Sequence, residues 1–375
     1  MKPKECNRER YLIDKIKAST LEGNLLNSPV NRDLRIYLPP GYYDNEEKRY
    51  PVIYFLHGYG GNNHNWTITS SSEEDKALPI KIIPKKFLKL MDIDKITNYE
   101  KIDSSINQGK LQPFILVQPD GSLHLPQNGG NKNLRGLPVT KGSYYINSPF
   151  TGNYMDYIIQ DVINYIDLNY RTFPNKQYRA IMGGSMGGAG TLRLAIHHPE
   201  KFNSAAALSP GNLSLDLLEW KLSVPLFEEL IGEELSKKRG ALTWADILDT
   251  CDRIFSMDNP LVPSIKKDDK GNIIEMNKKA LQNWLKHDIN TILKEKPKAL
   301  KEIHLLLNCE ENDEFGLANA TIQIHKNLKN LGIEHQFEIY SDPNAALSPH
   351  MLGIAYHIIP AIRFCTKFFP TSSNN

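Results

Sequence analysis

The sequence has few cysteines, no marked excess of charge of either sign and no long apolar run. Its four cysteines stand far apart, at positions 6, 251, 309 and 365, and none forms a C-x-x-C pair, so neither a zinc site nor a disulfide framework is indicated. Forty-five basic and forty-three acidic side chains give a formal charge of +2, which favours neither a nucleic acid nor an anionic membrane as partner. A small neutral ligand fits these properties better, and we expect no metal ion and no cofactor.

Targeting signals are also missing from the sequence. The first ten residues are charged and no apolar stretch follows them, and no later segment is long and apolar enough to span a bilayer. We therefore expect a cytoplasmic protein, or a secreted one if a signal has been removed. Nothing in the sequence indicates the oligomeric state.

Short apolar runs alternate with helical patterns along most of the chain. A mostly parallel sheet covered by helices on both faces is the structure that this alternation predicts. We predict strands at Leu34 to Leu38, Pro51 to Leu56, Phe114 to Val117, Tyr178 to Met182, Ala205 to Leu208, Ile303 to Leu307 and His335 to Tyr340. We predict helices from Asn153 to Asp167, Met186 to His198, before Leu331, and Met351 to Phe369.

Two segments are too long for simple connections. They are residues 67–110 and 212–300, and the second contains the helical pattern Leu281, Trp284, Leu285, Ile289 and Ile292. We interpret residues 1–375 as a single α/β domain in which 212–300 is a mostly helical cap over the site. The alternative is a peripheral decoration with no role in binding. Four tryptophans could line a pocket or belong to the core, namely Trp66, Trp220, Trp244 and Trp284.

The strongest motif is the G-x-S-x-G pattern of Gly183 to Gly187, which stands between a predicted strand and a predicted helix. A serine at such a sharp turn projects its hydroxyl above the sheet. The flanking glycines are needed because a β-carbon there would collide with neighbouring backbone. We predict that Ser185 is a nucleophile and that the helix after it favours developing negative charge.

A serine hydroxyl needs a base to remove its proton during attack. Of the eleven histidines, His350 follows the last predicted strand and precedes the last predicted helix, which is where the base belongs in this arrangement. His357 is the reserve candidate. We interpret His57, His197, His198, His304, His325 and His335 as structural.

A carboxylate should follow the strand that precedes the base, in order to hold the imidazole tautomer. Glu310, Glu311 and Asp313 are all available there, and the sequence gives Asp313 only a slight preference. The oxyanion that forms on attack needs backbone N–H donors. We predict Met186 as the first donor and Tyr59, in the glycine-rich turn that begins at His57, as the second.

The chain resembles the esterase D and feruloyl esterase group of α/β hydrolases, which also contains bacterial mycolyltransferases and enterochelin esterases. The residues that carry the resemblance are Tyr37 to Tyr42, Tyr50 to Gly61, Arg179 to Gly188, His198 to Phe202 and Leu208 to Gly211. The resemblance implies the α/β-hydrolase fold and a Ser185, Asp313 and His350 triad, because Asn312-Asp313 matches the family's acidic position. Two departures are Leu347-Ser348-Pro349, where the family usually has glycines, and the length of residues 212–300.

The resemblance also implies a serine carboxylesterase that acts through an acyl-enzyme on a small ester. Carbohydrate-linked or aryl esters, such as feruloyl or acetyl esters, are the substrates we expect, since the Leu-Thr-Cys run of formylglutathione hydrolases is absent. Two alternatives are an acyltransferase that passes the acyl group to an alcohol and a binding module that has lost activity.

Overall fold

In the described part of the chain, the main sheet contains eight strands. The computed structural model describes residues 9–64, 98–123, 141–212, 251–252, 254–255, 263–267, 273–346 and 348–371. In chain order the strands are β1 (Tyr11–Lys17), β2 (Asn31–Tyr37), β3 (Val52–Leu56), β4 (Ile115–Pro119), β5 (Arg179–Gly184), β6 (Ser204–Leu208), β7 (His304–Glu310) and β8 (Gln336–Tyr340).

The strands lie in the order β1-β2-β4-β3-β5-β6-β7-β8. β1 pairs antiparallel with β2 and β2 pairs antiparallel with β4, while all other neighbours are parallel. The predicted, mostly parallel sheet is therefore confirmed. Because β5, β6, β7 and β8 run in the same direction, the segments that follow them leave the sheet at one edge.

Strand β1 has no counterpart among the predicted strands. It forms the outer edge of the sheet, and Ile16 is the one residue of the strand that is fully buried. Tyr11 and Ile13 are among the exposed large apolar residues. An edge strand with one buried side chain gives a weak apolar pattern, which explains why the sequence did not indicate it.

In the described part, seven α-helices of seven or more residues accompany the sheet, besides one α-helical turn, Tyr154–Asp156. The bounds of the seven are α1 (Asn98–Asn107), α2 (Ile163–Asn169), α3 (Met186–His197), α4 (Lys278–Leu285), α5 (Ile289–Glu295), α6 (Leu317–Asn330) and α7 (Pro349–Lys367). A π-helical stretch, Tyr157–Val162, leads into α2, so the helix predicted from Asn153 to Asp167 is present with a local change of pitch. Within the described ranges, no helix is long and apolar enough to cross a membrane.

Helices cover both faces of the sheet. On one face, alternate strand residues such as Tyr54, Leu56 and Ile181 share a core with α3, α5 and α6. On the other face, residues such as Phe55 and Met182 share a second core with α1 and α7. A strand that is buried on both faces exposes few side chains to water, which explains why these strands are apolar throughout. Burial of each such side chain stabilises the fold by about 1.5–3 kcal/mol.

The insertion at 212–300 is described in part. Its described residues include α4, α5 and a hairpin of Ile265–Lys267 with Ile273–Met276, and the hairpin was not predicted. The first residue of the insertion contacts the N-cap of α5, where Asn212 Nδ2 donates to Asp288 Oδ2 at 2.6 Å. Trp284 is buried and packs against Phe255, whereas Trp66, Trp220 and Trp244 lie outside the described residues. Whether the insertion covers the site stays a prediction.

Candidate active site

Ser185 occupies a strained turn between β5 and α3. Its φ is 58° and its ψ is −122°, a conformation that residues other than glycine rarely adopt. A β-carbon on Gly183 would lie 2.4 Å from the Gly187 backbone, and one on Gly187 would lie 2.2 Å from Leu56 O. The turn can therefore form only with glycine on both sides of the serine, as the motif predicted.

Two backbone hydrogen bonds join this turn to the end of β6 and to the segment that follows it. Ser185 N–H donates to Leu208 O at 2.9 Å, and Gly211 N–H donates to Ser185 O at 2.9 Å. The serine itself is half-buried, which leaves its hydroxyl accessible at the edge of the sheet. The first N–H groups of α3 have no acceptor within the helix and lie next to this hydroxyl. A negative charge that develops beside Ser185 would be stabilised there.

Asp313 and His350 are brought together by the loops after β7 and β8. His350 Nδ1 lies 2.6 Å from Asp313 Oδ2, and both side chains are buried. Since an ionised carboxylate can only accept, Nδ1 is the donor and Nε2 is left to take a proton. Burial alone raises the pKa of Asp313, but the charge and hydrogen bond of His350 outweigh it, so the pKa lies below its ordinary value.

The two other carboxylates of the loop have different surroundings. Glu310 is buried at the end of β7, where it accepts the backbone N–H of Asn312. Glu311 is exposed. Neither forms a hydrogen bond with His350 in the described part of the chain, so Asp313 is the one of the three that contacts the imidazole through its side chain.

His350 lies in the first turn of α7, which begins at Pro349, two residues before the helix start that the sequence predicted at Met351. Its backbone N–H donates to Glu314 Oε2 at 2.6 Å, and its ring meets the Phe315 ring at a centroid distance of 4.7 Å. The sequence motifs did not indicate Glu314, although its position next to the candidate acid was a signal. The reserve candidate His357 stacks on Tyr340 and donates from Nδ1 to Gly353 O at 2.9 Å.

The glycine-rich turn after β3 runs directly beside the serine. A β-carbon built on Gly58 would lie 3.4 Å from the Ser185 β-carbon. His57 is fixed in one tautomer, because its Nε2 accepts from Gly121 N–H at 2.9 Å and its Nδ1 therefore donates to Gly58 O at 2.8 Å. Burial lowers the pKa of His57, which keeps the ring neutral. The structural role predicted for His57 agrees with these contacts.

The two residues predicted as oxyanion donors are neighbours. A β-carbon added to Gly142 would lie 2.1 Å from Met186 Sδ and 3.0 Å from the Tyr59 ring, so both side chains pack over the same glycine.

The contacts of His350 and those of Ser185 form two separate groups. In the ranges that the structure describes, no hydrogen bond joins Ser185 Oγ to His350. Contacts of this kind often tighten only when substrate binds.

Comparisons with known proteins give one family and several relatives. The sequence profile of the Esterase family matches residues 27–84 and 97–316, which include Ser185 and Asp313. An endo-1,4-beta-xylanase/feruloyl esterase of Xylanibacter ruminicola is 28% identical over 47% of this chain and 19% of its own length. An esterase of Mycobacterium tuberculosis is 28% identical over 48% of this chain and 29% of its own length. The chain thus matches less than a third of the length of these curated relatives.

Solved structures similar to this one include a ferulic acid esterase and an S-formylglutathione hydrolase. A ferulic acid esterase is 17% identical, and the match covers 96% of this chain and 98% of that one with a TM-score of 0.55. An S-formylglutathione hydrolase from Staphylococcus aureus is 15% identical, and the match covers 95% and 98% of the two chains with a TM-score of 0.50. Likeness at such identities concerns the fold, and it confirms the predicted α/β-hydrolase fold.

Proposed function

The chain belongs to the Esterase family, and from that premise we propose that it is a serine carboxylesterase that works through an acyl-enzyme. The family match confirms the resemblance to esterases that the sequence indicated. The observation that carries the serine mechanism is the strained turn at Ser185, which lies beside the glycine loop and at the same sheet edge as the Asp313–His350 pair.

Each candidate residue has one task in the proposed reaction. Ser185 Oγ attacks the ester carbonyl carbon while its proton passes to His350 Nε2. The carbonyl π electrons move to oxygen, and the N–H groups of Tyr59 and Met186 stabilise that oxyanion. Asp313 holds the imidazole tautomer and stabilises the imidazolium that forms.

The tetrahedral intermediate then collapses and the C–O bond to the alcohol breaks. His350 gives its proton to the departing alcohol oxygen, which leaves the acyl group on Ser185. A water molecule repeats the sequence of steps, with His350 as base, and releases the carboxylic acid. Water and ester are consumed and acid and alcohol are formed, so the reaction balances without a metal or a cofactor.

Carbohydrate-linked or aryl esters remain the substrates that we propose. The relative from Xylanibacter ruminicola is named as a feruloyl esterase, and the name supports this choice at the level of the family. A panel of feruloyl, acetyl and plain aryl esters would measure the preference. Product analysis with added alcohols in the same assay would detect acyl transfer, which is the competing outcome.

The serine mechanism has a direct test. The purified chain should hydrolyse p-nitrophenyl acetate and react covalently with a fluorophosphonate probe. Ser185→Ala should abolish labelling and lower kcat on the order of 10⁴-fold or more. Ser104→Ala, which alters an exposed serine on α1, is the matched control and should behave as the parent. Equal labelling of the parent and of Ser185→Ala would refute the proposal.

A further inference from the structure

Two consecutive tyrosines near the site have an unusual backbone. Tyr144 and Tyr145 both have φ of 53°, in the left-handed region that bulky residues avoid. Both side chains are buried, Tyr145 completely. A conformation of this kind persists only where the surrounding structure enforces it, and such residues cluster at functional sites.

Tyr145 contacts the first residue of the glycine loop, which is the glycine-rich turn after β3 that begins at His57. Its hydroxyl donates to His57 O at 3.2 Å, and its ring meets the His57 ring edge-on at a centroid distance of 5.8 Å. The ring fits closely over two glycines, since a β-carbon would lie 2.4 Å from it at Gly121 and 2.6 Å from it at Gly190. Together with the Gly121 N–H bond to Nε2, this contact fixes both the side chain and the carbonyl of His57.

Tyr144 contacts both proposed oxyanion donors. Its ring packs against the Tyr59 ring at a centroid distance of 5.8 Å, and its backbone N–H donates to Met186 Sδ at 3.3 Å. Two further contacts stabilise the turn at Tyr144. Arg193, a buried side chain on α3, donates from Nη1 to Tyr144 O at 3.4 Å, and the Phe255 ring packs against the Tyr144 ring at a centroid distance of 5.4 Å.

We propose that Tyr144 and Tyr145 are the positioning residues of the oxyanion hole, and this inference rests on the proposed esterase function. Tyr145 fixes the peptide at which the glycine loop begins, and Tyr144 fixes the side chains of the two residues whose N–H groups receive the oxyanion. Donors of this kind act only if they are oriented before the reaction, because errors of about 0.5 Å already reduce their effect. The strained turn supplies that orientation from outside the loop.

The most selective variant is Tyr145→Phe, which keeps the ring in its place over the two glycines and removes only the hydroxyl that holds His57 O. Deleting an oxyanion donor costs roughly 10²- to 10³-fold in kcat, so loosening the loop should cost less, about 5- to 20-fold. KM should change little, because the oxyanion exists only in the transition state.

The matched control is Tyr157→Phe. Tyr157 is also completely buried, but its hydroxyl has no hydrogen-bond partner among the described residues, so kcat should stay at the parent value. An arylboronic acid, which forms a tetrahedral adduct with an active serine, gives the second measurement. Its inhibition constant should rise in Tyr145→Phe by the same factor by which kcat/KM falls, and it should stay constant in Tyr157→Phe.

A second pair of variants tests Tyr144. Tyr144→Phe keeps the ring against Tyr59 and should retain most activity, whereas Tyr144→Leu removes the ring and should lower kcat about tenfold or more at similar KM. Thermal unfolding should show that all four variants are folded at the assay temperature. Parent-like kcat and boronate inhibition in Tyr145→Phe, or equal effects of Tyr145→Phe and Tyr157→Phe, would overturn the inference. Activity that survives in Ser185→Ala would instead refute the proposed function.

Discussion

The backbone N–H of His350 donates to the carboxylate of Glu314 at 2.6 Å, and the other oxygen of the same carboxylate accepts from Ser348 Oγ at 2.9 Å. Glu314 thereby caps the first turn of α7, where a negative charge also interacts favourably with the helix dipole. Asp313, Glu314 and Phe315 are consecutive, and each contacts a different part of His350. The family's glycines are missing from this loop, and the cap provides another way to fix its conformation.

Replacing Glu314 should impair the base without removing it. We expect Glu314→Ala to lower kcat about 3- to 10-fold at nearly constant KM, and to lower the free energy of unfolding by about 1 kcal/mol through loss of the cap. Steady-state kinetics with p-nitrophenyl acetate and urea denaturation would measure both effects. Glu311→Ala, which removes an exposed carboxylate of the same loop, is the control. Identical kinetics in the two variants would contradict a role for Glu314.

Asp313→Asn should disable the His350 imidazole while the side chain at position 313 keeps nearly the same volume. An amide can donate to Nδ1 and so stabilise the wrong tautomer, and we expect kcat to fall on the order of 10³- to 10⁴-fold. The unfolding free energy should also depend on pH, and the sign of that dependence follows from the pKa of Asp313. Because the pKa of Asp313 in the fold lies below 3.8, its charge stabilises the protein above about pH 4, and this contribution is lost as the pH falls through the folded pKa.

Urea denaturation at several pH values would test that sign. The difference in unfolding free energy between the parent and Asp313→Asn should be largest at neutral pH and should narrow below about pH 4. A difference that grows on acidification would show that Asp313 is protonated in the folded protein.

The residues of the site differ in how far the sequence reveals them. Ser185 is visible because Gly183 and Gly187, two positions away on either side, cannot carry a β-carbon, and glycines at fixed spacing leave a local pattern. His350 and Asp313 are visible through the order of strands and helices, since the ends of parallel strands meet at one edge. Their mutual contact depends on two loops separated by more than thirty residues, and no local pattern specifies its distance.

Glu314 and the tyrosine pair leave no such pattern. A glutamate in a loop is ordinarily a solvated charge, and only the fold shows that its partners are Ser348 and His350. Tyr144 and Tyr145 are of a residue type that disfavours positive φ, so the sequence predicts the opposite of the backbone they adopt. Long-range contacts decide these positions, and sequence periodicity describes only short-range ones.

Gly187→Ala should destabilise the whole turn. The added β-carbon would lie 2.2 Å from Leu56 O, which is backbone in a central strand and cannot move away without loss of sheet pairing. We expect a loss of at least 3 kcal/mol in unfolding free energy, at the upper end of what single substitutions cost. Gly109→Ala is the control. Its added β-carbon would have no atom within 4 Å, so only its φ of +68° should lower the unfolding free energy, by about 1–2 kcal/mol. Comparable losses in both variants would mean that the turn tolerates a β-carbon.

His287 should contribute to acid instability. Burial, assisted by the charge of Arg193, lowers the pKa of His287 to about 4 from 6.5. The folded protein therefore keeps this ring neutral, while the unfolded chain takes up a proton as the pH falls below 6.5. The stability contributed by the neutral ring is fully present above pH 6.5 and is lost progressively down to about pH 4, with a slope of up to about 1.4 kcal/mol per pH unit.

His287→Phe keeps a ring stacked on Phe255, which the histidine contacts at a centroid distance of 5.4 Å, and removes the titration. Between pH 6.5 and 4 the unfolding free energy of this variant, measured in urea, should depend less steeply on pH than that of the parent. Trp284→Phe is the control, since it alters packing on the same Phe255 ring at 5.6 Å without a titrating group and should shift the curve without changing its slope. If the parent and His287→Phe curves run parallel across this range, then the imidazole is protonated to the same extent in the folded and unfolded chains, and the burial of His287 has no part in acid denaturation.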